Sequence, residues 1–313
     1  MIATVISHPS CHDHQMPAGH PECPQRVDAI SNQLLSSGID SLLYHRTAPA
    51  VTDEQLLRVH TQDYLTKLLN ASPQEQTVFF ADDVYLSPAT LTAARHAAGA
   101  AILGVDMVMR GETDAVFCNI RPPGHHAERA RAMGFCIFNN VAVGAKHALD
   151  HYGLERVAIV DFDVHHGNGT QDIFLDDPRV LFCSSFQYPF YPHTEVHDVP
   201  GHILNVPLPA TCRSQEFREG ISHWFPALEK FKPQLLFISA GFDAHIDDDM
   251  SSISLFEQDY QWITQELRKI VDSSKKLPTE DQCKGIVSCL EGGYDLPSLG
   301  RCAMMHIKAM AKL

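Results

Sequence analysis

The sequence predicts an α/β fold: a central, mostly parallel sheet with helices on both faces. Three observations predict it. From Asp114 onward, short apolar segments alternate with longer segments of helical pattern, the order that builds parallel sheets through crossover connections. Those apolar segments are nearly continuous, as in VAIV and LLFIS, which marks strands covered on both faces. The chemically unusual residues follow the C-terminal ends of these strands, the edge where open parallel sheets bind ligands. No internal repeat or linker interrupts the 313 residues, so one domain spanning 1–313 is expected, a length that α/β folds reach without splitting.

The elements follow in order. Residues 3–7 (ATVIS) form the first expected strand, and a stretch rich in histidine and cysteine follows to Cys23. Pro24 opens a helical pattern, PQRVDAISNQLL, that Gly38 ends. The capping-box spacing of TDEQ starts a second helix at Thr52, expected to run on through 64–69. VFFADDVYLS reads as irregular. Ser87-Pro88 supplies an N-cap and first-turn proline for a long alanine-rich helix ending near Gly111. Strands are then expected at DAVFCNI, 156–164, 180–184, 203–206, 235–239 and GIVSCL. Helices are expected at 139–152, 169–175, 216–231, 256–271 and from Leu296 onward.

Composition narrows the function classes. Hydrophobic residues at 44% and charged residues at 20% are the proportions of a soluble globular enzyme. A net charge of −14 without any dense basic run argues against binding nucleic-acid backbone, while suiting cationic partners such as lysine-rich peptides or polyamines. Nine cysteines, irregularly spaced, do not make a disulfide framework. MIATVISHPS has no basic segment leading into a long apolar one. No window reaches the roughly 18 apolar residues of a membrane span. A cytoplasmic protein without membrane attachment is expected, with export by a signal placed elsewhere left open. An oligomer is equally left open.

The chemistry concentrates in VAIVDFDVHHGNGTQ. Side chains alternate along a strand, so Asp161, Asp163 and His165 point one way and Phe162 and Val164 the other. Buried charges are normally paired or bound to metal, and metal is the expectation here. RPPGHH, DVHHGN, GFDAH and EGGYD each follow a strand, which converges four loops on one edge. Asp163, His165 and Asp243 then make a two-carboxylate, one-imidazole site whose open position suits catalysis. Zinc fits, and the oxygen-rich set also accepts ferrous iron, cobalt or manganese. A buried hydrogen-bonded ion cluster is the competing explanation. His125 and His126 are candidates for acid–base work on a metal-activated water, with Pro122-Pro123-Gly124 fixing their backbone. Tyr294 is a candidate donor to an oxyanion. Together these groups describe hydrolysis of a carbonyl compound, most simply an amide, with no serine or cysteine nucleophile. Cys118, Cys136, Cys183 and Cys289 lie in apolar runs and are expected to pack the core. The cluster Cys11, His12, His14, His20 and Cys23 matches no zinc spacing.

RPPGHHA, GFCIFNNVAV, DFDVHHGNGTQ, SAGFDAH and LEGGYDL resemble the histone deacetylase and acetylpolyamine amidohydrolase superfamily, most closely its class II-like members and their bacterial relatives. The resemblance runs from HPECPQR to the last helix. It implies an arginase/deacetylase fold and zinc-dependent removal of acetyl or another acyl group from an amine. Under it, Asp163, His165 and Asp243 match the zinc ligands, and His126 the general base and acid. His125 becomes an electrostatic partner oriented by Asp161, and Asn168 the partner of His126. Tyr294 matches the catalytic tyrosine. Phe135 and Tyr191 look like the walls of a substrate tunnel, with Gly293 lining it and Met250 and Asp83 at its rim. Arg26 resembles the arginine of an acetate channel. Asp161, Asp163, His165 and Ser184 look like part of a structural potassium site. The chain departs from the pattern at the tunnel mouth, with YPHTE where relatives commonly have YPGTG and Asp247 to Met250 where many have GDPL. No glutamate stands at Met250, where a polyamine-preferring relative carries one, so acyl-lysine in a protein or peptide is the first expected substrate. An acetylated polyamine is the second, and a non-catalytic acyl-lysine-binding module the third.

Overall fold

A computed structural model describes residues 3–313. Among them the strands are β1 (Thr4–Ser7), β2 (Tyr44–Thr47), β3 (Val78–Ala81), β4 (Val84–Leu86), β5 (Ala115–Cys118), β6 (Val157–Asp161), β7 (Val180–Gln187), β8 (Ile203–Leu208), β9 (Leu235–Ala240) and β10 (Ile286–Leu290). Eight of these described strands form one sheet in the order β2-β1-β5-β10-β9-β6-β7-β8. Every neighbouring pair in it is parallel.

Alternate residues of the same strands feed two separate cores. Val116, Ile159, Phe237 and Val287 face one core with the alanine-rich helix Thr90–Met109 and the helix Asn140–Asp150. Phe117, Ala158, Val160, Ile238 and Ile286 face the other, with the helices Gln25–Ser36, Glu257–Ser274 and Leu296–Ala311. Burial on both faces is why these strands read as unbroken apolar runs. The edge strand β2 is the converse case. Its residues, YHRT, are exposed throughout, so nothing in their polarity marks a strand.

Several boundaries differ from expectation for local reasons. The helix expected to continue from Thr52 to 69 is two helices, Asp53–Leu57 and Gln62–Ala71. Thr52 and Gln55 do form the capping box. Thr61 then acts as a second N-cap, its hydroxyl accepting from the Tyr64 N–H. The helix expected at 216–231 is also two, Ser214–Ile221 and Trp224–Phe231. Pro226 accounts for the break, because a proline lacking N–H fits a first helical turn but not an interior. The segment read as irregular is the hairpin β3–β4. Its two loop residues, Asp82 and Asp83, both have positive φ, as a type I′ turn requires, yet no glycine announces it. The alanine-rich helix begins at Thr90, two residues beyond Pro88.

The strand expected at 156–164 ends at Asp161, but its alternation persists beyond the ladder. Phe162 and Val164 stay in the core, while Asp161, Asp163 and His165 turn to the opposite side. The nine cysteines are all free thiols. No described helix is long and apolar enough to cross a membrane.

Gly99 shows how closely the layers approach. A Cβ there would stand 1.8 Å from the Pro49 carbonyl oxygen. Gly99→Ala gains about 1 kcal/mol of helix propensity, but the clash with backbone outweighs it. We expect a net loss of about 1–3 kcal/mol, measured by denaturant unfolding; an unchanged or raised midpoint would contradict this packing.

Candidate active site

The loops after β5, β6, β9 and β10 meet at the C-terminal edge of the sheet. Asp163 and His165 follow β6, and Asp243 follows β9. Their ligand atoms all lie within 4.8 Å of one another, and all three residues are buried. His165 Nδ1 is 3.1 Å from Asp163 Oδ1 and 3.2 Å from Asp243 Oδ2. Backbone N–H groups hold the carboxylates from behind: Gly292 donates to Asp163 Oδ2 at 2.8 Å and Val164 to Asp243 Oδ1 at 3.1 Å. Asp243 Oδ2 has no hydrogen-bond partner among the described residues. Two glycines permit this crowding, since a Cβ on Gly292 or on Gly241 would fall 2.0 Å from Asp243 Oδ2 or Asp163 Oδ2 respectively.

These residues fit a divalent cation. Two buried carboxylates need compensating charge. Against burial, Asp163 and Asp243 push the His165 imidazole up to about 9. A cation supplies the same positive charge while using the nitrogen lone pair as a ligand. Two oxygens and one nitrogen suit zinc, ferrous iron or cobalt alike. No second such group of three occurs among the described residues. The histidine- and cysteine-rich N-terminal stretch is dispersed instead: His14 bonds Thr90, His12 bonds Asp28, and His20 packs on Phe135.

The tandem histidines, on the loop after β5, are held in opposite states. His125 Nδ1 donates to Asp161 Oδ2 at 3.0 Å, and His126 Nδ1 donates to Asn168 Oδ1 at 2.7 Å. Burial lowers the His125 pKa, but the Asp163 and Asp161 carboxylates override it and push the group up to about 10. Burial, reinforced by His125 and His165, holds His126 well below the usual imidazole range. These surroundings favour the charged form of His125 and the neutral form of His126. Glu291, which the sequence reading assigned no role, fixes their backbone: its Oε2 accepts from the Gly124 and His125 N–H groups at 2.7 and 3.0 Å.

A cavity of about 230 Å³ opens onto these groups. Phe135, Tyr191, Met250 and Asp83 line it, together with His126, His165 and Tyr294. Phe190 lines it too and stacks on His165 with ring centres 5.5 Å apart. The pairing FY in YPFYP was the available signal, and only its second member was singled out. Gly134 must be glycine, with φ +54 and a built Cβ only 2.3 Å from the His126 ring. Gly293 is not among the lining residues; its carbonyl accepts from Arg26 Nε at 2.6 Å behind the wall. The Arg26 guanidinium lies over the Tyr294 ring, 4.8 Å from its centre. Asp248, also missed, accepts from the Tyr294 and Asp295 N–H groups at 2.6 and 3.1 Å and from Met250 N–H at 3.0 Å. It thereby ties the tyrosine loop to the cavity rim. Ser184 pairs in register with Asp161 across β6 and β7, and its hydroxyl accepts from Gly167 N–H at 3.4 Å.

Behind Arg26, Glu22 binds Arg121 through both oxygens at 2.5 and 2.6 Å, and all three residues are fully buried. Burial alone raises the Glu22 carboxyl, but Arg121 overrides it and holds the group down at about 2, below its ordinary 4.5. Glu22→Ala leaves two buried guanidiniums uncompensated, and we expect a loss of about 3–5 kcal/mol by denaturant unfolding. Because the folded pKa is depressed, this contribution is complete above pH 4.5 and disappears as pH falls toward 2. Wild-type stability should therefore fall more steeply than that of the variant across that window; parallel curves would contradict the assignment.

The histone deacetylase domain matches residues 20–310. The chain is 34% identical to the histone deacetylase-like amidohydrolase of Pseudomonas aeruginosa, over 94% of this chain and 77% of that one. It is also 34% identical to the polyamine deacetylase HDAC10 of Mus musculus, over 92% of this chain but only 44% of that one. The crystal structure of the HDA15 HD domain superposes with a TM-score of 0.90 at 31% identity, covering 99% of this chain and 90% of that one. Fold, site and sequence agree that the chain belongs to the histone deacetylase family of hydrolases acting on acetylated amides.

Proposed function

We propose that the protein is a single deacetylase domain over 1–313 that removes acetyl, or another short acyl group, from Nε-acyl-lysine in proteins or peptides. The observation that carries this reading is an apolar cavity walled by Phe135, Phe190, Tyr191 and Met250 and ending at His126, Tyr294 and His165, the last a member of the Asp163–His165–Asp243 cluster. Such walls suit an uncharged methylene chain with a carbonyl at its tip.

Asp163, His165 and Asp243 would hold zinc, or Fe2+ or Co2+ in its place, which when bound would supply Lewis-acid polarisation of the carbonyl and a more acidic water. His126, kept neutral, takes the water's proton at Nε2 and returns it to the departing amine. His125, whose charged form Asp163 and Asp161 favour, opposes the negative charge that develops. Tyr294 donates a hydrogen bond from its hydroxyl to the oxyanion. Burial raises the Tyr294 pKa far above its ordinary value, which keeps that donor protonated. Arg26 is assigned to an exit channel for acetate, and Asp161, Asp163, His165 and Ser184 to a structural potassium site; all five residues are buried.

Tyr294→Phe and His126→Ala should each lower kcat by roughly 100-fold or more with metal content unchanged, whereas Asp243→Ala should lose the metal. Elemental analysis beside turnover decides, and zinc lost from either of the first two variants would show the roles to be misassigned. An acyl-lysine peptide should be turned over faster than acetylputrescine or acetylspermidine. The reverse order would make the protein a polyamine deacetylase, and peptide binding without acetate release would make it a reader of acyl-lysine.

A further inference from the structure

We infer that Glu128 sets the working tautomer of His126 by fixing which way the Asn168 amide faces, an inference that rests on the base role proposed for His126. An amide is nearly symmetric in shape but not in chemistry. With Oδ1 toward His126 it accepts from Nδ1–H and leaves the lone pair on Nε2, where a base needs it. With Nδ2 toward His126 it donates to Nδ1, drives the proton to Nε2 and removes the base. Asparagine alone does not choose between these.

Its surroundings do. Asn168 Nδ2 lies 2.8 Å from Glu128 Oε1 and 3.1 Å from Met133 Sδ, both acceptors. Turning the amide over would set its carbonyl oxygen against a carboxylate with no proton between them. Glu128 is itself fixed. Its Oε1 accepts from Arg131 Nη2 at 3.0 Å, its N–H donates to the Arg131 carbonyl at 2.9 Å, and its carbonyl accepts from His60 Nδ1 at 3.0 Å. Its side chain is 22% exposed, so the charge is partly shielded from water. The contrast with His125 explains why the device is needed. Asp161 accepts from that ring with either carboxylate oxygen, so no third residue has to orient it. Glu128 is thus a positioning residue: it acts on the chemistry only through Asn168.

Two variants and one rescue test this. Glu128→Lys places a donor where the acceptor stood, which favours the reversed amide; kcat should fall roughly 100-fold, the scale of a lost general base. Glu128→Gln offers either partner and should fall between that variant and wild type. KM should stay within about threefold in both, as expected when a group acts in the transition state rather than in binding. Adding Asn168→Asp to Glu128→Lys should restore kcat to within about tenfold of wild type, because a carboxylate accepts from His126 Nδ1–H and from the lysine together. In metal-loaded protein labelled with 15N-histidine, the His126 proton should move from Nδ1 to Nε2 in Glu128→Lys and return in the double variant. Wild-type kcat in Glu128→Lys, a proton that stays on Nδ1, or failure of the rescue each overturns the inference. Turnover surviving in His126→Ala contradicts the catalytic role instead, and the position of the proton still decides the part played by Glu128.

Discussion

The structure depends on two carboxylates and an imidazole placed together in a buried site at the ends of β6 and β9. Uncompensated, Asp163 and Asp243 would be strongly destabilising, since buried ions repay desolvation only through close, well-made interactions. Much of the surrounding chain answers that constraint. Backbone N–H groups of Val164 and Gly292 point at the two carboxylates, and Gly241 and Gly292 lack the side chains that would fill the space. Asp243 Oδ2 lies 3.2 Å from His165 Nδ1 without forming a hydrogen bond among the described residues, an arrangement that suits a shared cation.

A second layer of the architecture divides labour between two adjacent residues of one type. His125 and His126 share a loop, a burial and nearly a position, with ring centres 4.0 Å apart. Their partners separate them. Carboxylates at Asp163 and Asp161 favour the cationic form of the first ring, whereas burial beside His125 and His165 favours the neutral form of the second, which Asn168 orients. The residues that lie behind the histidines thus orient the two rings differently. The same logic extends to Tyr294, whose loop is pinned by Asp248 and whose ring lies beneath Arg26.

What the sequence made legible follows from where each signal resides. The central strands were readable because burial on both faces forces continuous apolarity, as in β6 and β9. The cluster of Asp163, His165 and Asp243 was readable because acidic residues at the end of such a strand conflict with burial. The edge strand β2 and the hairpin β3–β4 were not: one is exposed along its length, and the other turns on Asp82-Asp83 without a glycine. Glu291, Asp248 and Glu128 were missed for a different reason. Each works by accepting from backbone or amide N–H groups brought from elsewhere in the chain, and no local spacing encodes such a contact. The breaks at Thr61 and Pro226 were visible as residues, but each competed with a helical pattern on either side.

The central claim is that one cation, held by Asp163, His165 and Asp243, completes an amide-hydrolysing site. The most direct measurement is a zinc titration of chelator-stripped protein, recording bound zinc and acetate released from an acetyl-lysine peptide at each step. The account predicts no turnover at the start, a rise in proportion to bound zinc, and saturation at one zinc per chain. Full turnover by the stripped protein, or activity that appears only after a second zinc binds, would contradict it.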